Sequence, residues 1–137
     1  MTAPLHEALK LAACEAAAAL ALPLGWDGEV FTPPAGPHLR GRVTYDDEQA
    51  ATCGAGGLTR IDGALELTVA IMAGAGDDTA VALARSAAAQ FPRGRGLPCN
   101  GGEAVLAGGQ VQSPRPDGAR ITVVVRIPFY ALLRQGV

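Results

Sequence analysis

Apolar positions along the chain change their period several times, and each change predicts an element. Between residues 4 and 22, Leu5, Leu9, Ala12, Ala13, Ala16 and Leu20 recur at spacings of three and four. That spacing gathers them on one face of a helix. Pro4 is tolerated in a first turn, and Pro23 stops the run. Over residues 38–45 the period falls to two. Leu39, Val43 and Tyr45 alternate with Arg40, Arg42 and Thr44, with Gly41 in the apolar register. This predicts a strand that buries one face and shows two arginines on the other. The same period returns over 58–72, where Leu65, Leu67, Val69 and Ile71 form a row opposite Ala64, Glu66, Thr68, Ala70 and Met72. Gly74 and Gly76 then turn the chain, and Asp77 or Asp78 is expected to cap a second helix. Its inner stripe is Val81, Ala84, Ala88 and Phe91, joined by Ala80, Leu83 and Ala87, and Pro92 ends it.

Residues 103–113 can form a third strand, with Gly108 and Gly109 marking a bend or bulge. Pro114 to Gly118 reads as a turn with the Asp-Gly signal. The clearest strand covers 119–130. It sets Ile121, Val123, Val125 and Ile127 on one face and Thr122, Val124 and Arg126 on the other. The segments between carry no period. Residues 25–37 include a lone Trp26 and a proline-rich path from Phe31 to Pro37. Residues 46–57 (DDEQAATCGAGG) and 93–102 are polar or glycine-rich and predict loops, the first of them long and mobile. The order is α-β-β-α-β-β. It predicts an α+β fold: a mainly antiparallel four-stranded sheet with two helices packed on one face. The other face, with Arg40, Arg42, Glu66, Thr68, Thr122 and Arg126, suits solvent or a neighbouring subunit.

Length and composition bound this picture without altering it. A chain of 137 residues is read as one domain, residues 1–137, able to bury roughly two thirds of its unfolded surface. Apolar residues make up 49% and charged residues 18%, the balance of a globular chain. A formal net charge of −2 gives no basic footprint for nucleic acid, and 4% aromatic residues leave few stacking platforms. The alanine-rich run at 12–22 carries Glu15 and lacks a basic leader, so neither a signal peptide nor a membrane span is expected.

Candidate chemistry is sparse. Gly74-Ala75-Gly76 before a helix has the look of a phosphate cradle, but two acids hold the helix end and no Walker lysine follows. Cys14, Cys53 and Cys99 form no CxxC, and two histidines do not complete a zinc set. Cys99 alone has basic sequence neighbours, Arg93 and Arg95, which leaves a small thiol enzyme or ligand-binding domain as one alternative. Asp46, Asp47 and Glu48 lack EF-hand spacing and read as a solvated acidic loop. Arg93, Arg95, Arg115 and Arg120 form a loose basic group that could meet phosphate or a partner's carboxylates. Trp26 fits a core plug or an interface anchor equally well. No catalytic, cofactor or metal site is expected.

Several blocks in order carry a family likeness: Phe31-Thr32-Pro33-Pro34 into His38-Leu39-Arg40, then residues 63–72 with their glycine turn. The helix ending Phe91-Pro92-Arg93-Gly94 and the strand closing at Ile127-Pro128-Phe129-Tyr130 follow. Over roughly residues 5–130 the chain resembles the tail terminator proteins of long-tailed bacteriophages, in the branch similar to the lambda-type minor tail protein that caps the tail tube. The resemblance implies a structural virion protein, assembled in the host cytoplasm, with no catalytic residues. It implies a homo-oligomer, a hexameric ring, that ends tube polymerisation and meets the tail tube protein and the head–tail connector. DNA would pass through its lumen without sequence-specific binding, and no membrane is involved. Another connector or tail-completion adaptor is the neighbouring alternative. The residues expected at an interface are Trp26, Arg40, Arg42, Asp46, Asp47, Glu48, Arg115 and Arg126, and the likeness adds the 46–57 loop as a contact with tube or connector.

Overall fold

The computed structural model describes residues 4–50, 57–99 and 101–134. Helix α1 spans Leu5–Leu20 and buries Leu5, Ala8, Leu9, Ala12, Ala13, Ala16 and Ala17. It starts at Pro4 without a side-chain cap. It ends on Ala21 in the left-handed conformation (φ 56), with the Leu22 N–H returning to the Ala17 carbonyl at 3.0 Å. This is a Schellman-type stop with alanine where glycine is usual. A short strand β1 (Leu24–Trp26) follows, too short for any period to reveal it.

Strand β2 runs over His38–Ala50 and β3 over Leu58–Met72. The predicted loop at 46–57 is therefore corrected. Asp46 to Ala50 continue β2, because a bulge between Tyr45 and Asp47 shifts the register and pairs Asp47–Ala50 with Thr59–Asp62. Cross-strand pairing makes a strand of residues whose own pattern is silent. Residues 51–56, with Cys53, lie outside the described residues.

Helix α2 covers Asp77–Ala89 and buries Ala80, Ala84 and Ala87, with Phe91 sealed just beyond its end. The expected carboxylate cap is not made. Gly76 (φ 91) is the N-cap, and Asp77 and Asp78 sit in the first turn, where they face the positive end of the dipole. The Thr79 hydroxyl instead donates to the Ala75 carbonyl at 3.0 Å.

The second half of the chain is more divided than its pattern. Residues 93–102 supply β4 (Gly96–Cys99), which pairs antiparallel with β5 (Gly102–Leu106). The predicted strand at 103–113 is split into β5 and β6 (Gln110–Val111), with Gly108 (φ 93) in the break. The expected turn at 114–118 narrows to Gly118 and Ala119. Arg115–Asp117 become β7, hairpinned onto β8, and β8 extends over Arg120–Arg134.

The result is one sheet of eight strands among the described residues, in the order β1-β2-β3-β8-β5-β4, with β6 and β7 also paired to β8. The expected four strands are corrected to eight. The pairing is mainly antiparallel, with one parallel pair where β1 joins β2. The α+β class holds. Strands β3 and β8 form the centre, paired from Leu58–Arg134 to Met72–Arg120. Helix α1 touches both β2 and β4, which lie far apart in the strand order, so the sheet curls around it. Helix α2 lies over β8, β3 and β6, and both helices feed the same core.

Candidate functional site

Two surfaces stand out, both built by β2. The first is the sheet face turned away from the core. Strand register sets Arg42, Glu66 and Arg126 side by side across β2, β3 and β8. Arg42 donates to Glu66 at 3.1 Å, and Arg126 lies 3.7 Å from the same carboxylate. The bulge then brings Asp46 within 3.2 Å of Arg126. Two arginines and two acids thus alternate in one row and neutralise each other. Further along, Arg60 grips Asp62 through both Nε and Nη2 and lies over the Tyr130 ring at 4.7 Å.

The second surface is a cleft at the far end of the sheet, about 560 Å³ in volume. Leu5, Ile61, Leu133 and Tyr45 give it apolar walls, and Asp46, Asp47 and Glu48 line its β2 side. Tyr45 is fixed by three contacts. Its hydroxyl meets His6 Nδ1 at 2.8 Å, and its ring stands edge-on to Phe129 and tilted to His6. Partial burial pushes the Tyr45 phenol above its ordinary range. Asp47 and Glu48 are exposed and have no ion-pair partner among the described residues.

The structure gathers some of the expected residues and scatters others. Arg42, Asp46 and Arg126 share the charged row, and Asp46, Asp47 and Glu48 share the cleft. Arg40 lies elsewhere, 3.5 Å from Asp27 beside β1. Trp26 is half-buried on β1. Its ring lies against Gly41, where any Cβ would come within 2.6 Å of it, and Lys10 covers it at 4.9 Å. Arg115 is exposed on β7, opposite Thr122 of β8, and belongs to neither the charged row nor the cleft lining. The loose basic group is not a cluster. Arg95 turns to Glu15 and the Gln90 carbonyl, and Arg120 donates to the Pro34 carbonyl at 3.0 Å.

Glu66, Tyr45, Ile61 and Leu133 belong to these surfaces but not to the expected site. Alternation put Glu66 on the right face, but only register across three strands makes it the hinge between two arginines.

The thiol alternative meets a direct obstacle. Cys99 is 3% exposed, and burial pushes its thiol up, away from the thiolate that nucleophilic chemistry needs. Among the described residues, no three His, Cys, Asp or Glu side chains gather where they could hold a metal ion. None of the described helices is long and apolar enough to cross a membrane.

The family model for phage tail terminator proteins matches residues 4–129. The chain belongs to the phage tail terminator protein family. It is a structural component of a phage tail, associated with the tail tube and with head–tail joining, and this suggests a place in the virion. One similar solved structure covers 93% of this chain and 94% of its own, at 24% sequence identity and a TM-score of 0.69. At that identity the likeness shows the fold of this terminator and nothing more. No curated protein matches it.

Proposed function

We propose that this terminator forms a closed ring on the head-proximal end of the tail tube, stops tube polymerisation there and presents a surface to the connector. DNA passes through the ring. The family match over residues 4–129 carries this reading. The surfaces are consistent with it. The charged row between Arg42 and Asp46 is neutral within itself, and the chain's formal charge is −2. A conduit of that kind has no dense cationic surface to release counterions and hold phosphates in passage. Hexameric stoichiometry is part of the proposal.

The test is a phage lacking this chain, with the gene restored in trans as control. Tails should lose length control and fail to join heads. Electron microscopy of complemented particles should show a six-fold ring at the head end of the tube. Tails of normal length that join heads without the chain overturn the reading. So does a chain that never appears on purified tails.

A further inference from the structure

The cleft at the far end of the sheet has an apolar floor, an acidic side and an open backbone edge. Strand β1 covers β2 only from Leu39 to Gly41. Beyond Gly41, no described strand pairs with the side of β2 that faces away from β3. Asp47 and Glu48 project from this stretch without ion pairs among the described residues. A groove of this kind calls for a cationic occupant with some apolar surface.

The same chain carries such a surface on the other flank of the sheet. A shallow depression of about 490 Å³ lies where α2 ends against β6. Arg85 and Arg93 stand at its rim, and Ala88, Phe91 and Val111 line it. Both arginines are exposed, and neither has an ion-pair partner among the described residues, whereas Arg40, Arg42, Arg60, Arg95 and Arg126 each have one. Strands β3 and β8 separate β2 from β6, which puts the two surfaces ~14 Å apart in strand spacings alone. They cannot meet within one copy.

Two complementary patches on different flanks of one subunit make a heterologous contact, which closes into a ring or runs on as a filament. We infer that the acidic cleft of one copy receives the Arg85 and Arg93 rim of the next, and that this contact links subunits around the ring. The inference rests on the ring reading above and names its interface. Charge governs the fit: Asp47 and Glu48 meet two guanidiniums, and the Leu5, Ile61 and Leu133 walls receive the apolar margin around Val111. The bulge and the acids on the open edge also oppose plain edge-to-edge strand pairing, leaving side-chain docking as the mode of contact.

Charge exchange tests this. One variant carries Asp47→Arg with Glu48→Arg, the other Arg85→Glu with Arg93→Glu. Ring formation is followed by sedimentation and electron microscopy, with and without purified tail tubes. Each variant alone should assemble about tenfold less well or worse, while its melting temperature stays that of the parent. An equimolar mixture should recover rings of alternating copies, because every reversed cleft then faces a reversed rim. Variants that assemble alone like the parent overturn the inference but leave the ring reading standing. A mixture that stays unassembled also overturns it. A parent chain that never forms rings, even on tubes, removes both.

Discussion

Gly63 occupies a notch that no other residue can fill. A Cβ there would drive into the Thr44 carbonyl oxygen and press on the Phe129 ring at 3.0 Å. The first obstacle is backbone in a paired strand and cannot step aside, so Gly63→Ala should cost about 2 kcal/mol or more. The midpoint of denaturant unfolding measures it. The titrating residues make a second prediction at this scale. Burial raises the Cys99 thiol from its ordinary 9.0 and the Tyr45 phenol from its ordinary 10.0. Both groups hold their protons more tightly when folded, so their contribution is complete at neutral pH and is lost as pH rises. Stability should be level from these groups below pH ~8, decline above ~9 as the unfolded thiol ionises, and decline further above ~10 with the phenol. Cys99→Ala should remove the first of these steps. In the folded chain a thiol reagent should modify exposed Cys14 well before buried Cys99. Equal rates at the two sites would contradict the burial on which this pH dependence stands.

The two helices are made of small residues for a geometric reason. Ala80, Ala84 and Ala87 let the α2 backbone settle closely on the sheet, with Gly109 so near Ala88 that a Cβ would lie 2.7 Å from it. Ala84→Leu adds three carbons where exposure is already nil, and should destabilise by about 1–3 kcal/mol, read from the thermal midpoint. Elements with a strong period were legible in sequence. The rows Leu65 to Ile71 and Ile121 to Ile127 became the central pair of the sheet. Alanine spacing also marked both helices. What escaped was whatever pairing alone creates. Leu24–Trp26 is three residues long, Gly96–Cys99 contains two residues that disfavour strands, and Asp46–Ala50 has no alternation. Each becomes a strand because a partner's edge is in place beside it. The acidic run was visible as charge, but its position on a strand edge followed from a bulge that no residue type announces. Glu66 shows the same limit: its face was legible, its two arginines were not.

At the scale of the molecule, the chain belongs to a family of structural phage tail proteins. The proposed ring, and the proposed contact between its acidic and basic surfaces, describe a subunit completed by its neighbours. The deletion phage and the charge-exchanged pair probe that at two levels, whole-tail architecture and single contact. Strands β3 and β8 stay in register along their whole length, 15 residues against 15. Tension applied along those strands meets every rung of the ladder together, in shear. The short strands β4 and β7 expose only a few rungs each and can be peeled away one bond at a time. The subunit therefore has a stiff axis and soft margins, and a mechanical load directed along β3 and β8 is borne by its most resistant part.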